Sequence, residues 1–353
     1  MSRKHFSWLL FLTFLVAMLV LLLPGKTGKE SGFETAPLIS DLQEQVNDIA
    51  WIRFTGGGGE TIATLERREG RWVVLESSAY YADWDKLRRL LSDLAQAESV
   101  EAKTAKSEYY DRLGVEDVTS ADAGGVMVEF DQAAGLPAVI IGKSAQGREG
   151  QYARLSGQEQ SVLLDRRISV PRERSGWLET SIVSIADSDV VEVEVSHGDG
   201  DRILADRASV DEENFTLRTL PEGREVQSDW SVNSLANGLA SLTLDEVAAG
   251  DSVDWSDASV YRVVTKDGLQ IEVELVANPG EDEESSTDDE YWIRLEAGTY
   301  TTAVDSGVEE AGDAAAQAGE INRRVEGWAY RIPKYKFDSM TKKTEDLLKS
   351  PES

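Results

Sequence analysis

An uncharged apolar run near the N-terminus is the feature that most constrains how this chain folds. The run extends from Phe6 to Leu23, and Ser7 and Thr13 are its only hydroxyl residues. As a helix with a rise of about 1.5 Å per residue, its roughly 18 residues span about 27 Å, close to the thickness of a bilayer core. No helical face of the run is polar, although a core helix of a soluble domain needs a polar face. The sequence therefore predicts a transmembrane helix over residues 6–23.

The charges beside this run predict its orientation. Residues 1–5 carry Arg3 and Lys4, so the positive-inside rule places this short leader in the cytoplasm and the body of the chain on the other side of the membrane. A cleaved signal peptide is the competing interpretation, but Pro24–Lys29 contains no A-x-A-like cleavage site. An uncleaved anchor followed by a linker over residues 24–45 is favoured.

The composition excludes several classes of partner and chemistry. The chain of 353 residues has 65 acidic and 36 basic residues, for a formal net charge of −29. Nucleic acid and anionic lipid both require a basic surface, so neither is expected as a ligand. A solubilising surface is the simplest explanation of the charge, and selective binding of a cationic partner is the alternative. Because there is no cysteine, thiol catalysis and disulfide bonds are excluded.

The order of predicted elements repeats along the chain. In the first part, three strand-like runs end near Glu76, an amphipathic helix runs from an N-cap at Asp83 to about Ala97, and four further strands follow before residue 165. From Val190 the same order returns, with a helix predicted over 228–242. Three leucines of that second helix follow three leucines of the first by a constant spacing of about 148 positions: Leu87, Leu91 and Leu94 against Leu235, Leu239 and Leu242.

This repetition predicts an α+β fold made of two antiparallel sheet-plus-helix units behind the transmembrane helix. The first unit is predicted over residues 46–188. The second is predicted over residues 189–353 and ends in an aromatic and basic tail from Trp328.

The residues that usually carry catalysis and metal binding are scarce. His197 is the only histidine beyond the leader, and it lies where a hairpin turn is expected, with no G-x-S-x-G motif elsewhere. Zinc sites need His or Cys clusters, which are absent. The acidic stretch 280–290 lacks the spacing of an EF-hand, so it is interpreted as a solvated hairpin loop, with weak cation binding as the alternative. We therefore predict no catalytic residue, no metal site and no cofactor.

Two arginines recur at matching places in the two copies. Arg154 and Arg294 are the only charged residues that do so. Each is interpreted as an exposed strand arginine paired across the sheet with Asp or Glu, or alternatively as a contact for a ligand or partner. Six of the nine tryptophans are interpreted as core residues because aromatic side chains on strands and helix faces usually pack inward. They are Trp72, Trp84, Trp177, Trp230, Trp292 and Trp328.

Several motifs resemble an uncharacterised bacterial family of single-pass membrane proteins with a duplicated domain of unknown function. The resemblance is carried by the apolar leader and by five further motifs. They are an R-x-G-x-W hairpin (Arg68, Gly70 and Trp72), a helix entry (Tyr80–Leu94), a Y-x-x-L-G turn (Tyr110, Leu113 and Gly114), a strand end (Ile140–Gly142) and an aromatic tail (Trp328–Leu348). Members of that family are often encoded beside ABC-transporter permease and gliding-motility-type auxiliary subunits. The family supplies no catalytic residues.

The resemblance implies a membrane-tethered, non-catalytic accessory or binding module of an ABC-type envelope transport complex. Its location would be the bacterial inner membrane, crossed once, with the C-terminal domain in the periplasm. One alternative is a structural scaffold that spaces partners from the membrane. Another is an extracytoplasmic hydrolase that uses carboxylates, for which the abundance of acidic residues makes any single pair uninformative.

Overall fold

The fold is described by a computed structural model over residues 33–209, 211–278, 289–300 and 308–350. The predicted leader, the predicted transmembrane helix over 6–23 and most of the acidic stretch 280–290 lie outside these residues. Within the described ranges, no helix combines the length and the apolar composition that crossing a membrane requires.

Strands dominate the described part of the chain. They are β1 (Ala36–Pro37), β2 (Trp51–Thr55), β3 (Thr61–Arg68), β4 (Arg71–Val74), β5 (Tyr80–Tyr81), β6 (Glu98–Ala102), β7 (Val126–Phe130), β8 (Val139–Ser144), β9 (Gln151–Leu155), β10 (Ser161–Leu164), β11 (Ser181–Val183), β12 (Val190–Ser196), β13 (Arg202–Asp206), β14 (Thr216–Leu217), β15 (Leu242–Thr243), β16 (Glu246–Ala249), β17 (Ser259–Thr265), β18 (Leu269–Asn278), β19 (Glu290–Thr299) and β20 (Trp328–Arg331).

The helices of the described residues are fewer and mostly short. They are α1 (Leu42–Gln45), α2 (Trp84–Gln96), α3 (Tyr110–Leu113), α4 (Asp229–Asn233), α5 (Val308–Val325), α6 (Lys334–Met340) and α7 (Thr344–Leu347). The chain is thus a mixed α and β protein dominated by antiparallel sheets, and this part of the predicted fold class is confirmed.

Two compact units make up the described chain, and both are discontinuous in sequence. The first comprises the described residues up to Thr61 together with Arg88–Val170, and the second comprises Ile62–Leu87 together with the described residues from Pro171 onward. The sequence instead predicts contiguous units over 46–188 and 189–353. The predicted boundaries separate two sequence repeats, and the division into compact units does not test them.

The first unit is built on seven strands in the order β1-β6-β10-β9-β8-β7-β2. All neighbouring pairs are antiparallel. Inward-facing positions alternate along the strands, as expected for a sheet with one face on a core. On β7, for example, Val126, Val128 and Phe130 are buried and the residues between them are half-buried. The four strands predicted between residues 126 and 164 are confirmed.

A close backbone approach in the first unit explains two glycines of the family motifs. Gly114 directly follows helix α3 as its C-cap, and its φ of 66° is a left-handed conformation that favours glycine. The backbone beside it lies against Gly142 on β8, where an added Cβ would stand 2.8 Å from the Gly114 carbonyl oxygen and also meet the Leu113 carbonyl oxygen. Both motifs therefore serve packing.

The second unit contains a meander of β3, β4 and β5, a two-stranded pair of β11 and β15, and an eight-stranded sheet. The strand order of the large sheet is β14-β13-β12-β17-β18-β19-β20-β16, again with antiparallel neighbours. The β17–β18 hairpin turns at Asp267 and Gly268, and Gly268 has a φ of 79°. An Asp-Gly pair between two alternating apolar runs is typical of such a turn.

An aromatic cluster in the core of the second unit joins two further family motifs. The fully buried ring of Tyr80 packs edge-on against Trp328 at 5.2 Å between ring centroids and against Tyr330 at 5.9 Å. Burial raises the pKa of Tyr80 to about 12, so its hydroxyl stays neutral and the Tyr80 side chain acts as a packing group. Trp177 is also completely buried in this unit.

The predicted helix after Asp83 is confirmed in position and in most of its buried face. The Asp83 Oδ1 atom accepts a hydrogen bond from the Lys86 N–H at 2.9 Å, which is the expected N-cap. The leucines of the predicted face are all buried: Leu87, Leu90, Leu91 and Leu94. Trp84 is 51% exposed, so its assignment to the core was wrong. It stands in the first helical turn, before the buried stripe is established.

The predicted helix over residues 228–242 was wrong in its extent. Ser228 caps the short α4 by accepting from the Ser231 N–H, the chain continues as a 3₁₀ turn over Ser234–Asn237, and Leu242 belongs to β15. The hydroxyls of Ser231 and Ser234 donate to backbone carbonyls three residues earlier and so compete with helical hydrogen bonds. The leucines are buried, but they do not share one helical face.

Candidate functional site

A cleft of about 870 Å³ lies within the second unit. One side is lined by residues of β18 and β19, and the other by the C-terminal end of α5 and by Gly327–Trp328. Gly250 and Asp251, which follow β16, also line it. Its volume falls in the range typical of ligand-binding clefts.

The cleft opens where two neighbouring strands part. β20 pairs with β19 at Trp292–Arg331 and at Ile293–Tyr330, and in the described residues this register extends no further toward the end of β19. At Ala297 the side chain of Asn322, from α5, takes the place of a strand: its Oδ1 accepts from the Ala297 N–H and its Nδ2 donates to the Ala297 carbonyl, both at 2.7 Å. The space between these two attachments is the cleft.

Two glycines join the loop segments of the cleft lining, one in the turn from α5 into β20 and one directly after β16. Gly327 has a φ of 84°, a left-handed conformation that side chains rarely adopt. Its carbonyl oxygen accepts a hydrogen bond from the Gly250 N–H at 2.8 Å. This contact ties the segment after β16 to the turn, so both stretches of backbone line the cleft from fixed positions.

The charged face of β18 and β19 carries an arginine held on both sides. Arg294 stands directly opposite Glu274 in the strand register and forms an ion pair with it. The Arg294 guanidinium lies 4.7 Å from the Trp255 ring centroid, and the Trp255 Nε1 donates to the Gly250 carbonyl at 2.9 Å. The cross-strand pair predicted for Arg294 is confirmed. Contact of Arg294 with a ligand or partner stays a prediction. Arg294 lies in the lining of the cleft, where such a contact would be made.

Four other carboxylates of the lining have no such counter-ion. Asp251, Glu272, Glu296 and Glu326 are exposed, and no lysine or arginine of the described residues forms an ion pair with any of them. Glu272 and Glu296 are direct cross-strand partners, so two like charges face each other. Like charges in this position destabilise a sheet. The lining therefore has an excess of negative charge that can attract a positively charged group.

Arg154 is placed very differently from Arg294. It is only 5% exposed, its Nε donates to the Val115 carbonyl at 2.8 Å, and its Nη1 donates to the Gln158 carbonyl at 2.9 Å. The guanidinium also lies 4.6 Å from the Tyr110 ring centroid. The predicted exposed pair with an acidic residue was wrong for Arg154, because the side chain is buried and its partners are the carbonyls of Val115, after α3, and of Gln158, in the turn between β9 and β10. A ligand contact at this residue remains a prediction.

Replacing Asn322 by leucine should destabilise the second unit. The change leaves the Ala297 N–H and carbonyl without their side-chain partner, and we expect the free energy of unfolding to fall by about 2 kcal/mol. Urea unfolding of the purified chain measures this loss. Gln317→Leu, at an exposed position of the same helix, is the matched control and should change stability by no more than about 0.5 kcal/mol; equal losses in both variants would contradict the role of Asn322.

His197 has a structural role in the described structure. The turn between β12 and β13 contains it, as predicted. Its Nδ1 lies 2.9 Å from the Ser259 Oγ, and its Nε2 lies 3.0 Å from the Lys342 carbonyl oxygen. Both ring nitrogens thus have partners, and the imidazole connects this hairpin to the C-terminal tail.

The C-terminal tail directs its basic side chains toward its own unit. Lys349 pairs with Glu225 at 2.6 Å, and Lys343 pairs with Asp199. The Lys342 ammonium donates to the Ser234 Oγ at 2.7 Å. These cations are therefore engaged within the chain, so the basic tail acts as a clasp on an acidic surface.

Acidification should loosen this clasp through Asp201. Burial raises the pKa of the Asp201 carboxyl, but hydrogen bonds from the Thr344 hydroxyl and N–H outweigh burial and hold the pKa below its usual range. Because the folded pKa is depressed, the contribution of Asp201 is complete above the unfolded value of about 3.9 and is lost as pH falls through the folded value. The difference in Tm between the wild type and Asp201→Asn should be present at pH 7 and should shrink as the pH falls below about 3.9. A difference that persisted at low pH would contradict this explanation.

No group of three or more potential metal ligands occurs in the described residues. The acidic stretch contributes only its last two residues to the description, and their carboxylates accept hydrogen bonds from neighbouring side chains. Asp289 accepts from the Tyr291 hydroxyl at 3.3 Å, and Glu290 accepts from the Trp292 Nε1 at 3.0 Å.

The acidic residues of the cleft were missed by sequence analysis. On β18 the alternation of Glu272 and Glu274 with buried Ile271 and Val273 is visible in the sequence and marks one charged face. Nothing in the sequence, however, places that face beside the end of α5 or predicts that β20 leaves β19.

Comparison with known proteins identifies the family and no closer relative. No curated protein and no solved structure matches the chain. A family model described as a domain of unknown function, DUF4340, matches residues 72–266, which is more than half of the chain. The match contains the R-x-G-x-W, Tyr80–Leu94 and Ile140–Gly142 motifs at least in part, and the chain belongs to the DUF4340 family.

Proposed function

We propose that this chain is a membrane-tethered extracytoplasmic binding module, an accessory part of an ABC-type envelope transport complex that does not itself catalyse a reaction. In this proposal residues 6–23 anchor the chain in the bacterial inner membrane and the two compact units lie in the periplasm. The apolar run and the basic residues before it support the anchor and the orientation.

The observation that carries the binding role is the cleft of the second unit. It has the volume of a ligand site, a lining with four carboxylates that lack a counter-ion, and walls held by Asn322 and by the Gly250–Gly327 hydrogen bond. Fixed walls favour binding because little conformational entropy is lost when a partner enters. The assignment to a transport complex comes from the family resemblance and is a proposal.

The same proposal includes a duplication within the chain. It is supported by the shared order of β2, β3, β4 and α2 against β12, β13, β14 and α4. The shortened second helix and the different environments of Arg154 and Arg294 are then later divergence. An experimental structure in which the two sets of elements failed to superpose would contradict the duplication.

Site-specific crosslinking in native membranes tests the binding role. A photo-reactive amino acid at Glu326, in the cleft lining, is expected to capture a permease or auxiliary subunit of an ABC transporter, and the same group at the exposed Glu222 is not. Mass spectrometry identifies the captured chain. Recovery of only the protein itself at both positions would count against the transport complex.

Deletion of residues 6–23 tests the tether. If the module acts at the membrane, the truncated chain should lose the crosslink at Glu326 although its second unit remains folded, as judged by an unchanged Tm. A structural scaffold would behave differently: it would tolerate changes in the cleft lining but not a shortening of the chain.

A further inference from the structure

We propose that the cleft of the second unit binds an extended peptide segment that carries lysine or arginine side chains, presented by a partner protein. This inference rests on the proposed binding function and names the chemistry of the partner. It goes beyond the family match, which assigns no ligand.

Charge balance in the cleft selects a cationic occupant. Its arginine, Arg294, is already committed to Glu274 and to the Trp255 ring. The remaining charged groups of the lining are carboxylates, so an anionic or neutral ligand would leave the excess charge uncompensated. Complementary charge also speeds association and disfavours partners of the wrong sign.

The like-charge pair of Glu272 and Glu296 gives the strongest indication. The two carboxylates face each other across β18 and β19, an arrangement that costs stability in the free chain. A cation placed between them converts this repulsion into attraction. Arg262 faces Glu272 from β17 in the strand register, but its ion pairs are made with Glu192 and Glu194. Neither Glu272 nor Glu296 therefore has an ion-pair partner among the described residues.

The form of the cleft favours a peptide over a small cation. The cleft lies between a strand and the Val325–Trp328 segment, and its volume of about 870 Å³ is at the upper end for small-ligand sites. An extended segment places alternate side chains on opposite sides, so one basic residue reaches Glu272 and Glu296 while the next reaches Glu326.

Fluorescence anisotropy on the full-length chain in detergent tests the inference. The probe is a labelled hexalysine peptide, whose consecutive side chains point to opposite sides when it is extended, with the matching hexaglutamate peptide and spermine as comparisons. We expect the basic peptide to bind, the acidic peptide not to bind, and spermine to bind at least about tenfold more weakly because it lacks a backbone and alternating side chains. Equal affinity for spermine and the basic peptide would overturn the peptide assignment.

A charge reversal separates loss of the site from loss of the fold. Glu296→Lys should weaken peptide binding by at least about tenfold and should also raise the Tm of the free chain, since it replaces the like-charge pair by an attractive one. Glu222→Lys makes the same charge change at an exposed position outside the cleft and should alter affinity by less than about twofold. Unchanged binding in Glu296→Lys would overturn the site.

The two proposals fail in distinguishable ways. If Glu326 crosslinks to a permease subunit but the basic peptide does not bind, the binding module stands and its ligand chemistry is wrong. If the basic peptide binds in the cleft but the crosslink captures no transporter subunit, the ligand chemistry stands and the assignment to a transport complex is wrong.

Discussion

Gly142→Ala is expected to lower the free energy of unfolding of the first unit by about 3 kcal/mol. A Cβ at this position would meet the carbonyl oxygens of Leu113 and Gly114, and it would stand 2.8 Å from the Val115 Cγ1. Carbonyl oxygens cannot rotate away as a flexible side chain can, so the α3 turn or β8 has to move. Urea unfolding, monitored in the purified chain, measures the loss.

Gly298→Ala is the matched control for this substitution. Gly298 also lies within a strand, but an added Cβ there meets nothing within 4 Å. Its replacement should leave stability unchanged or raise it slightly, because alanine has less freedom than glycine in the unfolded chain. A loss at Gly142 no larger than that at Gly298 would show that the close approach of α3 and β8 does not constrain the fold.

Trp177→Ala is expected to lower the free energy of unfolding of the second unit by about 4 kcal/mol. The residue is completely buried, so removal of the indole leaves a cavity in addition to the lost transfer of apolar surface from water. At this magnitude the second unit loses a large share of the stability typical of a domain. Thermal unfolding measures the shift in Tm.

Trp230→Ala makes the same chemical change where the side chain is 75% exposed. Its effect on stability should stay within about 0.5 kcal/mol. The comparison isolates burial from residue type, since both tryptophans belong to the same unit. Equal losses in the two variants would contradict the assignment of Trp177 to the core.

These two tryptophans also show where sequence reasoning succeeds and fails. Residue type alone assigns both to the core, and that is right for Trp177 and wrong for Trp230. The difference lies in tertiary placement: Trp230 is the second residue of a five-residue helix, and that short helix presents it to solvent. Propensity and residue type cannot supply that information.

Strands are predicted best where alternation and turn residues agree. The positions of β7, β9, β17 and β18 follow from period-two patterns bounded by glycine or polar turns, such as Asp267–Gly268 between β17 and β18. The leucine spacing over 228–242 misled because the hydroxyls of Ser231 and Ser234 compete for the helical hydrogen bonds. The predicted helix is therefore divided among a short helix, a turn and a strand.

The candidate site follows from tertiary contacts that no local pattern encodes. Glu272 and Glu296 are separated by 24 positions and become opposed only through the strand register. Asn322 replaces a strand at Ala297 through a side chain from a helix. Arg294 was singled out by the sequence because of its recurrence, and it is the one predicted contact residue that lies in the cleft.

The clasp made by the C-terminal tail has a consequence for biosynthesis. The Gln227 N–H donates to the Leu347 carbonyl at 2.7 Å, and the Asp83 N–H donates to the Trp177 carbonyl at 2.8 Å, so the second unit joins segments from nearly both ends of the described chain. Contacts between distant segments must await the later segment, and they slow folding. While the polypeptide is being made, the second unit can complete its structure only after its last residues have emerged, and early strands such as β3 and β4 must wait in an unfinished state until then.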